Sequence, residues 1–177
     1  MFHFSKVKRF YVAINTSDCR NNTPLNLITD SRFVPAIINY CMEKYTLKED
    51  VKVYCTAAKS FPHGIQEAFL TLEKLLSKEG RTFYGVSYKS TGCCLIYKAA
   101  VSESFDGEAE KYGFESFTIS KGEYLTETII DWRKKIETIG LTFQTLLADP
   151  RSDKTSPCVE WYKSDKEVMC MVKLSSS

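Results

Sequence analysis

Two histidines, His3 and His63, serve all 177 residues, and the seven cysteines form no C-x-x-C pair. With no His/Cys set at ligand spacing, a zinc site is not expected, and the odd thiol count argues against a disulfide framework. The expectation is reduced, buried thiols in a cytoplasmic protein, with no metal and no cofactor. Glycine is scarce at eight residues, and neither G-x-G-x-x-G nor G-K-[ST] occurs, so no phosphate-cradling loop is encoded. No run approaches the ~18 apolar residues of a membrane span. The apolar run Phe10 to Ile14 is too short for a signal peptide. Neither sign of charge is in excess: 24 Lys plus Arg against 22 Asp plus Glu leave +2. That balance lacks the basic surface of a dedicated nucleic-acid binder. The one interior histidine, His63, sits in a Phe61-Pro62-His63-Gly64 turn, which is a poor setting for a catalytic triad.

What the chain holds in quantity is aromatic rings, with 10 Tyr, 11 Phe and 2 Trp in a composition that is 44% hydrophobic and 26% charged. Those fractions are those of a globular protein with a real core. Strands are expected at 7–15, 51–58, 82–88, 93–101, 114–120, 158–162 and 168–174, from β-branched and aromatic runs bounded by turn residues. A helix is expected over 31–46, where Val34, Ile37, Ile38 and Cys41 fall at helical spacing, and another from Ile65 to about Glu79. A third is expected over 126–148, where Ile129, Trp132, Ile136, Ile139, Phe143 and Leu146 recur at steps of three and four. The acidic segment 102–113 reads as a linker.

The pattern of elements repeats. Cys93, Tyr97 and Lys98 align with Cys158, Tyr162 and Lys163, and Ile65, Ala68, Leu72 and Leu75 align with Ile129, Trp132, Ile136 and Ile139. The fold class expected is α+β: a duplicated strand–helix–strand–strand unit, about 51–101 and 114–174, forming one antiparallel sheet with both helices on one face. Residues 1–48 then form an N-terminal extension of one strand and one helix, and 49–177 the domain proper.

On the strand Cys158 to Tyr162 side chains alternate, so Cys158, Glu160 and Tyr162 share a face. In the proposed alignment Glu160 stands where the sister strand holds Leu95. Two placements are open: an outward Glu on a half-exposed sheet, the usual fate of this residue, or a carboxylate set among rings. Tyr54, Tyr84, Tyr97, Tyr124, Trp132 and Tyr162 all lie on or beside the repeat elements. Rings around one negative charge suit lipophilic cations, since each ring face adds roughly 0.5–2 kcal/mol of cation–π energy. As core filler, the same rings would need no ligand.

The run Phe117 to Tyr124 with its Gly122-x-Tyr124 turn, the following Trp132, the Glu160-x-Tyr162 strand and the closing segment Met169 to Leu174 resemble the GyrI-like small-molecule-binding domain. That domain is the effector-binding module of AraC-type and MerR-type regulators. The resemblance covers about residues 50–174. It implies a ligand cleft at the pseudo-twofold between the halves, with Glu160 at its base. The rings on the repeat elements, Tyr162, Tyr97, Trp132, Tyr124, Tyr84 and Tyr54, are the candidates to line it. The function it implies is binding of a small hydrophobic or cationic molecule, as a sensor or sequestering protein. No helix-turn-helix segment accompanies the domain, so direct DNA binding is not expected. Two alternatives follow from the same resemblance. Some members are hydrolases that open strained rings, which would make Glu160 a general acid/base beside Tyr162. Others inhibit gyrase, which would make the partner a protein. Haem, bound by the related SOUL-type fold, would find no well-placed axial histidine here.

Overall fold

A computed structural model describes residues 42–75, 80–90 and 95–175. The elements run β1 (Glu43–Leu47), β2 (Val51–Ala57), α1 (Ile65–Leu75), β3 (Phe83–Lys89), β4 (Leu95–Ser102), α2 (Glu108–Tyr112), β5 (Glu115–Ile119), β6 (Gly122–Ile130), a single 3-10 turn (Trp132–Lys134), α3 (Ile136–Ala148), β7 (Cys158–Tyr162) and β8 (Glu167–Lys173). The strands form one antiparallel sheet in the order β1-β6-β8-β7-β3-β4-β2-β5, curled into a half-barrel. The class is α+β, and no described helix is long and apolar enough to cross a membrane.

Both long helices lie on the same face of the sheet, α1 over β4 and β2, and α3 over β8 and β6. Ile65, Phe69 and Leu72 from α1, and Ile136, Ile139, Phe143 and Leu146 from α3, pack onto Tyr54, Tyr97, Val101, Leu125, Val168 and Val172. Burying each such aliphatic or Phe side chain contributes about 1.5–3 kcal/mol. The alternate residues of the same strands build a second cluster on the opposite face, including Val53, Tyr84, Val86, Tyr124, Val159 and Met171.

Most of the expected elements from residue 51 onward are present, with three corrections. The helix expected over 126–148 begins only at Ile136. Residues up to Ile130 belong to β6, which is paired on both sides, with β1 and with β8. The β-branched run Thr126 to Ile130 favours that pairing, and Asp131 at φ 56° breaks the chain before the turn. Ile129 and Trp132 fit the helical period because both bury on the helix-covered face. The end of the helix expected over 31–46 is strand β1, held to β6 at the sheet edge. The rest of that helix, like the strand expected at 7–15, lies outside the described residues. The acidic linker contains α2, flanked by Gly107 and Gly113 at φ 83° and 71°. Those left-handed conformations favour glycine.

The residue alignment expected between 51–101 and 114–174 does not hold. Ile65 opens a helix, whereas Ile129 lies in a strand. β7 follows α3 as β3 follows α1, and it lies beside β3 in the sheet. Leu95, on β4, is therefore not the counterpart of Glu160. The residue directly across from Glu160 is Gly85.

Candidate functional site

Strand β7 reads Cys-Val-Glu-Trp-Tyr, and pleating sends its residues to alternate faces. Val159 and Trp161 join the cluster on the face away from the helices. Glu160 and Tyr162 turn toward the helices, and Glu160 is 4% exposed. A buried carboxyl is costly unless it is hydrogen-bonded. Here the Tyr97 hydroxyl donates to Glu160 Oε2 at 2.7 Å, and the Tyr162 hydroxyl donates to the same oxygen at 2.5 Å. Tyr162 reaches it from two residues along the same strand. Tyr97 reaches it from β4, across the intervening β3.

That reach depends on Gly85. A Cβ at position 85 would lie 2.2 Å from Tyr97 Oη and 2.6 Å from Glu160 Oε2. Only the missing side chain on β3 leaves room for the carboxyl and hydroxyl to meet above it. Rings enclose the group. Tyr162 meets Phe69 edge-on at 5.4 Å and Trp132 at 4.9 Å between centroids. Tyr97 lies 6.0 Å from Phe61 and 6.4 Å from Phe69. Trp132 is fixed in turn by its indole N–H, which donates to the Ser164 carbonyl at 3.3 Å.

No Lys or Arg among the described residues is ion-paired with Glu160. Burial pushes its carboxyl above the usual range, and the two tyrosine hydroxyls only partly oppose that shift. The nearby thiols are held protonated. Burial, reinforced by the Glu160 charge, raises Cys158 to about 12 and Cys170 well above its usual value. Neither is poised as a thiolate nucleophile. Among the described residues, no group of three or more His, Cys, Asp or Glu is arranged to hold a metal ion.

Of the residues singled out from the sequence, Glu160, Tyr162, Tyr97 and Trp132 come together. Tyr54 shares their face but belongs to a different ring group, stacked on Phe114 at 5.5 Å and 6.3 Å from Tyr112. Its hydroxyl is buried without a hydrogen bond, and burial pushes its pKa up to about 12. Tyr84 and Tyr124 point to the opposite face. Tyr84 packs near Trp161, and the Tyr124 hydroxyl donates to the Ser120 carbonyl at 2.5 Å. Tyr124 also lines a shallow open pocket there, about 290 Å³ including the solvent at its mouth, with Phe117, Val159 and Lys173.

Two members of the Glu160 neighbourhood were missed in the sequence. Gly85 carries no signal until the strand register is known. Glu127 falls inside the segment expected to be helical. As a strand, Leu125-Thr-Glu127-Thr-Ile129 places an acid between two apolar residues of the same parity, which marks it as facing the helices.

No known family profile and no curated protein sequence matches the chain. Solved structures do match it in shape. An integron cassette protein from the mobile metagenome of Vibrio cholerae superposes with a TM-score of 0.57 at 16% identity, covering 76% of this chain and 95% of its own. The protein SAV2435, solved bound to tetraphenylphosphonium, superposes with a TM-score of 0.50 at 12% identity, covering 76% of this chain and 94% of its own. At these identities the likeness shows that the chain shares their fold.

Proposed function

We propose that the chain is a GyrI-like small-molecule-binding domain that takes hydrophobic cations between α1 and α3, with Glu160 at the base of the site. The observation that carries this reading is a buried carboxyl with no cationic partner among the described residues, held by two tyrosine hydroxyls and walled by Phe61, Phe69 and Trp132. A cation entering there gains a charge partner and ring faces together. SAV2435, which shares the fold, was solved with a lipophilic phosphonium cation, and this supports the ligand class.

The sheet order supports an internal duplication. Read outward from the central β7–β3 pair, one side runs β8-β6 and the other β4-β2, with α3 and α1 in matching places. The site then lies beside the pseudo-twofold. The test is titration of tetraphenylphosphonium by calorimetry. Micromolar binding is expected in the wild type, weakened about tenfold or more in Glu160→Gln, a loss of roughly 1.4 kcal/mol. Unchanged affinity in that variant removes Glu160 from the site.

A second reading has one observation in its favour. A carboxyl whose pKa is raised by burial beside Tyr97 and Tyr162 has the parts of a general acid for hydrolysis of strained or electrophilic rings. Product release from such compounds favours this reading, whereas stoichiometric binding without turnover favours the first.

A further inference from the structure

The strand registers lay out one row of residues across the helix-covered face. Ala99 on β4 pairs with Gly85 on β3, Gly85 with Glu160 on β7, Glu160 with Cys170 on β8, and Cys170 with Glu127 on β6. The row is lopsided. Its β4 and β3 positions hold only alanine and glycine, and its β7 and β6 positions each hold an acid. Two steps of ~4.8 Å between strands separate Glu160 from Glu127, or about 10 Å between backbones. Both acids act on the thiol between them, since Cys170 is raised by the charges of Glu160 and of Glu127. That thiol is buried and held neutral, so it supplies no positive charge between the carboxyls.

Glu127 is half-buried, with one of its two oxygens shut away from water. Its Oε2 is buried and makes no hydrogen bond, and no ion pair among the described residues reaches it. An unmet buried oxygen of this kind is costly in the empty protein, and a ligand donor would relieve it. Its flanking residues on β6, Leu125 and Ile129, are buried apolar groups, so the approach to it is greasy as well as acidic.

We propose that Glu127 is a second cation-receiving carboxyl of the same site, and that the site selects flat aromatic dications whose charges lie about 10 Å apart. The inference rests on the reading of Glu160 given above and extends it. One cationic end meets Glu160 among the tyrosines, and the other meets the unpartnered oxygen of Glu127. The apolar middle lies over Cys170. A monocation uses only the Glu160 end.

The test uses two probes on the full chain by calorimetry, tetraphenylphosphonium with one charge and a short-linked bis-benzamidine with two. The wild type is expected to bind the dication the more tightly. Glu127→Gln should weaken the dication about tenfold and the monocation less than about twofold. Glu127→Asp, which keeps the charge, should retain most of the preference. Because both probes are measured on each variant, a folding defect cannot imitate the result, as it would lower both affinities together. Equal effects of Glu127→Gln on the two probes, or none on either, overturn the inference. If Glu160→Gln still weakens both probes in that case, the Glu160 reading survives alone. If Glu160→Gln changes neither, or neither probe binds the wild type, both readings fall.

Discussion

Glu108 and Glu160 are both buried acids of one chain, at 0% and 4% exposure, and their surroundings push them in opposite directions. Glu108, on α2, receives both terminal nitrogens of the Arg81 guanidinium, at 2.7 and 2.5 Å, and the backbone N–H of Ser104 at 2.7 Å. The Arg81 guanidinium and the Ser104 N–H together hold its carboxyl at about 2. Glu160 receives two neutral hydroxyls and, among the described residues, no cation, and burial drives it upward. The same side chain, shielded from solvent in both places, is a completed ion pair in one and a carboxyl held by neutral donors in the other. A completed pair has nothing left to offer a ligand. The carboxyl held only by tyrosine hydroxyls is the one the proposed function uses, so depth alone does not mark a site.

The sharpest way to break this contrast is to remove the charge from Glu108. Glu108→Gln leaves the half-buried Arg81, which also donates to the Ser102 carbonyl, without its counter-charge, and losing one partner of a fully buried pair costs about 3–5 kcal/mol, an upper bound here. Urea unfolding should register that loss, while tetraphenylphosphonium affinity in the folded variant stays near wild type. A large loss of affinity with little loss of stability would reverse the roles assigned to the two acids.

Next in size is Gly85→Ala. The added methyl collides with Tyr97 Oη and Glu160 Oε2, and relief requires the hydroxyl to leave the carboxyl. Overpacking of this kind costs about 1–3 kcal/mol, and the loss of a donor to Glu160 should weaken cation binding alongside it. A crystal structure of the variant with the Tyr97–Glu160 hydrogen bond intact would show that the close approach is not what glycine secures.

How far the sequence reveals this arrangement depends on which residues are asked. Glu160 is legible because strand parity places it with Tyr162, and a lone acid in an aromatic strand is conspicuous. The β-rich runs and the helix from Ile65 are legible from periodicity, since packing and pattern agree there. Trp132 is found for the wrong reason: β6 and the following turn bury Ile129 and Trp132 on the same side as α3, which imitates one long helical stripe. Tyr84 and Tyr124 are misplaced by parity. Phe83, not Tyr84, shares the face of Gly85 and Glu160, and only the β3–β7 register shows it. Glu108 and α2 are hidden because their stability comes from Arg81, 27 residues away in sequence, so local composition reads as an acidic linker.

The smallest effect, and the finest test of the contrast, is the response to pH. Glu108 titrates low in the folded protein and near 4.5 when unfolded. It therefore contributes stability that is fully present above 4.5 and is lost as pH falls toward 2. Glu160 has the opposite sign: its folded pKa lies above 4.5, so the folded state holds the proton more tightly, and stability falls as pH rises from 4.5 through the folded value. Glu160→Gln should remove its share of that decline in urea midpoints measured from pH 4 upward, and Glu108→Gln should leave it in place. Glu127, also raised by burial, adds a decline of the same sign that survives in Glu160→Gln. The ligand reads the same proton. A permanent cation prefers the ionised carboxyl, so tetraphenylphosphonium affinity should climb with pH until the free site has ionised and then level off. In Glu160→Gln the residual affinity should stay nearly flat across that range. A wild-type affinity already flat from pH 5 to 8 would mean that the cation is held by rings alone, and that Glu160, like Glu108, belongs to the scaffold.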